Sequence, residues 1–149
     1  MSGLLLARYV SVLCMQIYQT KAGRLKGTDF TEVRKRAFFV FKQIKKKSKR
    51  HPYIRSAYFN KEKIFLNLFW QHLFEKPLGE RLRRLKYFAA AVELLEGSRS
   101  EPELKMDPST KEQFYRFSGR SKEGDLFYVQ IKCKYPSNNK HLISIFPAK

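Results

Sequence analysis

Arg116, Gln130, Lys132 and Ser144 are the residues whose types and spacing could do chemistry. They lie in three runs rich in β-branched and aromatic residues: Gln113 to Gly119, Leu126 to Lys134, and His141 to Pro147. The loops between the runs are full of Gly, Ser, Asn, Pro and charge, the pattern of a small antiparallel sheet. If each run is extended, alternate side chains share a face. Phe127, Val129, Ile131 and Cys133 then form the core face of the middle strand. Tyr128, Gln130, Lys132 and Lys134 form the other, with Arg116 on the strand before and Ser144 on the strand after. Such a face is either a solvated surface or the floor of an anion-handling site.

Charge favours a polyanionic partner. The 149 residues hold 31 Lys and Arg against 13 Asp and Glu, a net charge of +18. That exceeds what solubility asks of a small domain, and it points to nucleic acid ahead of acidic lipid or protein. Between Lys21 and Lys63 there are 15 basic and 3 acidic residues. The densest run, Lys45, Lys46, Lys47, Lys49 and Arg50, suits phosphate contacts that position a strand without reading its sequence.

The tests for familiar chemistry come back mostly empty. No glycine-rich phosphate loop or nucleophile elbow occurs. Cys14 and Cys133 are lone thiols, and His51, His72 and His141 are scattered, so neither a metal site nor a cofactor is expected. Acidic pairs able to hold magnesium are missing, which disfavours two-metal nuclease chemistry. Metal-free RNA cleavage stays open. There the 2′-hydroxyl attacks the adjacent phosphorus, and the protein supplies a base, an acid and cations around the phosphate.

The elements that must position these residues are expected as helices first and the sheet last. Leu4 to Tyr18 reads as an amphipathic helix, too short and too interrupted by Arg8 and Gln16 to span a bilayer. Lys21 to Thr28 reads as a linker, giving an appendage over residues 1–28 and a domain over 29–149. Asp29-Phe30-Thr31-Glu32 is a capping box opening a helix that buries Val33, Ala37, Phe41 and Ile44. His51-Pro52 ends it. Tyr53 to Phe59 reads as a connector holding Arg55, Ser56 and Tyr58. Asn60 caps a helix with Ile64, Phe65, Leu68, Phe69, Trp70 and Leu73 on its apolar face. A further helix runs from Glu80 to Glu96, with Gly97 past its end, and Ser98 to Thr110 is a linker. The expected fold is α+β, N-terminal helices followed by a small antiparallel sheet of three to four strands. Thiols without a disulfide framework make the cytoplasm the expected compartment.

This order of elements, with a basic residue on the first sheet strand and a Ser before an aromatic-Pro on the last, resembles the barnase, EndoU, colicin and RelE-like superfamily of metal-independent ribonucleases. The residues that carry the likeness are Arg116 in Tyr-Arg-Phe-Ser-Gly, Val129 to Lys132, and Leu142 to Pro147. Pro52 to Ser56 and Lys63 to Leu66 extend it toward the phage- and mobile-element-associated branch. The resemblance implies toxin-like RNA cleavage by 2′-hydroxyl attack, with an immunity or antitoxin protein as a possible partner. It implies that Ser144 holds or protonates a phosphate oxygen and that Arg116 stabilises the phosphorane. Lys132 and Gln130 share that face. His51 takes the general-base place and Arg55 approaches the phosphate, while Tyr53 could stack a base. The alternative is a non-catalytic, basic nucleic-acid-binding module of a mobile element.

Overall fold

The computed structural model describes residues 17–134 and 136–148. In chain order the elements are β1 (Ile17–Gln19), α1 (Phe30–Lys47), β2 (Tyr53–Arg55), β3 (Lys63–Phe65), α2 (Asn67–Phe74), α3 (Leu78–Leu85) and α4 (Phe88–Gly97). Four more strands follow: β4 (Glu103–Met106), β5 (Glu112–Arg120), β6 (Leu126–Lys134) and β7 (Asn139–Pro147).

The three C-terminal runs form the antiparallel meander β5-β6-β7, as alternation predicts. The expected arrangement around them needs correction. The sheet has seven strands in the order β1-β5-β6-β7-β3-β2, with β4 also on β5, and it curls toward a half-barrel. β1 joins β5 in parallel and β3 joins β7 in parallel, so the sheet is mixed. Among the described residues the helices therefore stand in the middle, flanked by strands, and the sheet dominates.

The Ser98–Thr110 stretch read as a linker holds a strand, β4, with all four of its residues exposed, and the other three missed strands have a local reason. β1, β2 and β3 are three residues long, too short for alternation to register. Asn60 and Lys61 both adopt positive φ, 54° and 68°. Two successive left-handed residues reverse the chain between β2 and β3, so Asn60 makes a turn instead of capping a helix, and Ile64 and Phe65 belong to β3. At the N-terminus, Ile17 and Tyr18 pair with Ser118 and Gly119 in a strand; the rest of the expected Leu4–Tyr18 helix lies outside the described residues. The segment read as a linker packs on the domain, with Lys21 and Ala22 N–H donating to Glu93 at 2.7 and 2.8 Å.

α1 forms as expected. Asp29 accepts from Glu32 N–H at 3.0 Å, and Glu32 reaches back to Thr28 N–H at 3.0 Å. The Glu80–Glu96 helix is broken in two. Lys86 carbonyl, which would serve that helix, accepts Leu25 N–H at 2.8 Å, and Tyr87 N–H turns back to Arg84 carbonyl at 3.2 Å. A bond made across the fold thus replaces one that helical periodicity predicts.

One face of the sheet is dry. Phe117, Phe127, Val129, Ile131, Leu142 and Ile145 are buried against the helices, whose inward residues include Val33, Phe69, Phe88 and Leu94. Trp70 lies between Phe38 and Phe69, its centroid 4.8 and 5.3 Å from theirs. The helices occupy the core side, which leaves the opposite face of the meander to carry the polar set.

Candidate functional site

Strand register aligns the open face into rows. Arg116, Gln130 and Ser144 stand opposite one another on β5, β6 and β7, with Glu103 of β4 beyond Arg116. The next row runs across six strands: Tyr53, Phe65, His141, Lys132, Phe114 and Lys105. On the other side, Ser118, Tyr128 and Phe146 form a third row.

These side chains stack and pair with one another. Arg116 lies over Tyr128 and Phe146, 5.5 and 5.6 Å from their centroids, and 4.0 Å from Glu103. Lys132 faces Glu112 at 3.6 Å. Phe65 is tilted 36° against His141 with centroids 5.6 Å apart, and Tyr53 meets Phe65 edge-on at 6.3 Å. Burial, with Lys132 as a smaller contribution, lowers the His141 pKa from its ordinary 6.5. The ring is therefore neutral at pH 7, a stacking surface more than a cation.

A second constellation adjoins this face at the edge of β7. Pairing with β3 involves only Lys140 and His141; beyond them α2 and α3 cover the strand. A bulge between Gln130 and Ile131 shifts the register, so that Gln130 opposes Ser144 while Ile131 opposes Leu142. The extra residue, Ile143, turns the strand toward the helices. The cleft that results is lined by His72, Lys76, Arg84 and Ser144 over an apolar floor that includes Phe69 and Leu73. Arg84 donates to Ser144 Oγ at 2.9 Å and to Glu80 at 3.0 Å. Its guanidinium also lies 5.6 Å from the Phe146 centroid, the ring that Arg116 covers at the same distance. Phe146 thus joins the cleft to the open face. His72 Nδ1 faces Glu75 at 3.6 Å, which leaves Nε2 for other work.

The residues expected from the sequence divide into two groups. Arg116, Gln130, Lys132 and Ser144 come together as their alternation requires, and Lys134 ends the same strand, exposed. His51 and Arg55 do not join them. Both belong to the β2 edge, and β2 stands two strands from β7 and four from β5 in the sheet order, about 10 and 19 Å at the usual strand spacing. Arg55 instead donates to Lys61 carbonyl at 3.0 Å and lies over Tyr53 at 5.4 Å. The general base expected at His51 has no counterpart there; His72 is the histidine beside Ser144. Ser56 is fully buried and holds its own turn by accepting Phe59 N–H at 3.1 Å.

Lys45, Lys46, Lys47, Lys49 and Arg50 are exposed at the end of α1 and just beyond. Ser48 ties that end to β2 by accepting Tyr53 N–H at 3.1 Å, so the basic run borders the Tyr53 end of the long row. A groove of about 480 Å³ between α1, β2 and α4 opens beside it, lined by Phe39, Ile44, Lys47, Tyr53 and Arg55 among others. Sequence reasoning missed His72 and Arg84 because they read as the polar faces of amphipathic helices, and Lys76 because Lys76-Pro77-Leu78-Gly79 reads as a turn. Arg81, Arg83 and Arg84 stand together in the sequence, but which arginine reaches the sheet depends on helix packing.

Among the described residues no group of three or more His, Cys, Asp or Glu could hold a metal ion. No helix among them is long and apolar enough to cross a membrane. In comparisons with known proteins, no family model, curated protein or solved structure matches the chain.

Proposed function

We propose that the protein binds RNA and cleaves it without a metal ion, at the cleft between α2, α3 and the bulged β7. The observation that carries this reading is the convergence of His72, Lys76, Arg84 and Ser144 on one small cleft, with Arg116 across the shared Phe146 ring. In the reaction, His72 Nε2 takes the 2′-hydroxyl proton as the oxygen attacks phosphorus. Glu75 faces Nδ1 on the other side of the ring. Arg84, Ser144 and Arg116 hold the non-bridging oxygens as charge builds on them. The bond to the 5′-oxygen breaks and Lys76 gives that oxygen a proton. The products are a 2′,3′-cyclic phosphate and a 5′-hydroxyl. This keeps the ribonuclease resemblance and two of its expected residues, and it replaces His51 and Arg55 with His72 and Arg84.

The test is incubation of the purified protein with a single-stranded RNA in EDTA. Wild type yields 2′,3′-cyclic phosphate ends, and Arg84→Ala slows cleavage by about 10²–10³-fold, the usual loss for one transition-state donor. Absence of product from wild type over hours overturns cleavage.

A second reading is a non-catalytic nucleic-acid-binding module. It is favoured by the carboxylates already paired with the site cations: Glu80 with Arg84, Glu103 with Arg116, and Glu112 with Lys132. Binding that falls log-linearly with salt, with no product, selects it.

A further inference from the structure

The row of six side chains across the open face has a composition that solvation does not explain. Tyr53, Phe65 and His141 follow one another on three adjacent strands, with ring centroids 6.3 and 5.6 Å apart. Lys132, Phe114 and Lys105 continue the row on the next three. Exposed strand faces ordinarily alternate polar residues. Here aromatic rings recur along a line perpendicular to the strands, and cations stand between or beside them. Lys63 and Arg55 lie over the Tyr53 ring at 4.6 and 5.4 Å. The basic run that ends α1 borders the same end of the line.

From this placement we infer that the row is a track for an unpaired nucleic-acid strand, its bases stacked on the rings and its phosphates met by the interleaved lysines and the α1 run. Five steps between six strands span about 24 Å, room for a strand of on the order of four to six nucleotides. A duplex cannot use the track, because its bases are already stacked and its faces closed. Ring stacking and phosphate contact need no 2′-hydroxyl, so the track takes unpaired RNA and unpaired DNA alike. The inference rests on the RNA reading proposed above and adds the substrate class: single-stranded, laid across the sheet and led toward the Phe146 edge.

Fluorescence anisotropy in EDTA tests it with a labelled eight-nucleotide RNA, its 2′-deoxy counterpart and a blunt duplex of the same sequence. Both single strands are expected to bind more tightly than the duplex. Phe65→Ala is expected to weaken single-strand binding roughly 5- to 150-fold, the range for loss of one stacked base. Phe65→Trp is expected to retain it. Lys132→Ala is expected to lower the salt slope by about 0.7, the value for one phosphate contact on a single strand. Should Phe65→Ala fail to fold by circular dichroism, Phe114→Ala at the other end of the row decides. The deoxy strand is expected to inhibit RNA cleavage without being cut. Duplex bound as tightly as single strand, or unchanged affinity in the alanine variant that folds, overturns the track and leaves the cleavage reading standing. Track binding as described with no cleavage product overturns the cleavage reading alone.

Discussion

The Glu62–Lys140 pair makes an asymmetric prediction about what holds the long row together. Lys140 is a lysine with a side chain only 6% exposed, whereas Glu62 is 54% exposed. The ammonium donates to Glu62 Oε2 at 2.5 Å, approaches Asn138 carbonyl at 3.3 Å and lies 4.8 Å from the Phe59 centroid. The pair fastens the turn between β2 and β3 to β7, and β3 meets β7 through only two residue pairs. Removing Glu62 strands a charge in a dry site. A fully buried pair broken this way costs about 3–5 kcal/mol. Because Glu62 is half in water and the ammonium keeps the Asn138 carbonyl, Glu62→Ala is expected to cost about 2–3 kcal/mol. That lowers the melting temperature by about 4–12 °C for a chain of this size. Lys140→Met removes the charge together with its desolvation cost. Its stem still packs on Phe59 and Glu62 hydrates freely, so the cost stays within about 1 kcal/mol. Thermal melting of both single variants and the double variant closes the cycle. The double variant is expected to recover most of the Glu62→Ala loss. Lys140→Met as damaging as Glu62→Ala, or a neutral Glu62→Ala, would refute the reasoning.

Two further outcomes follow from burial. His141 has a folded pKa below its ordinary 6.5, so the unfolded chain binds more protons in the window below that value. Its contribution to stability is complete above pH 6.5 and is lost as pH falls through the lowered folded pKa; His141→Gln is expected to flatten the fall in melting temperature between pH 7 and pH 5, and an unchanged profile rejects this. Gly119 lies on the core face of β5, where a Cβ would come within 2.5 Å of Leu94 Cδ1 and 2.7 Å of Phe127 Cζ. Gly119→Ala is expected to cost about 1–3 kcal/mol by overpacking, and denaturant titration that finds no loss would show that Leu94 and Phe127 give way.

The open face was legible because period-2 alternation survives in nine-residue strands. Phe127, Val129, Ile131 and Cys133 had to turn inward together, and that placed Gln130 and Lys132 outward beside Arg116. The short strands were not legible. Tyr53–Arg55 and Lys63–Phe65 carry three residues each, and Lys63 to Phe74 reads equally well as one apolar helix. What separates strand from helix there is the left-handed pair Asn60 and Lys61 and the seat that Lys140 and His141 offer Ile64 and Phe65. The same limit hid the cleft. His72 and Arg84 lie on different helices, and no spacing in the sequence predicts that both meet Ser144.

By itself, then, the sequence determined the meander, its dry and polar faces, the capped first helix, the excess of positive charge and the lack of metal-ligand spacing. These follow from local periodicity and composition, which every stretch of chain carries with it. Tertiary structure decided which strands joined the meander, where the Glu80–Glu96 helix broke, and which histidine and arginine stand beside Ser144. Those outcomes depend on hydrogen bonds and packing between residues distant in the chain, such as Leu25 with Lys86 and Arg84 with Ser144. No local pattern encodes such pairs, because the partner is chosen only when the helices settle on the sheet.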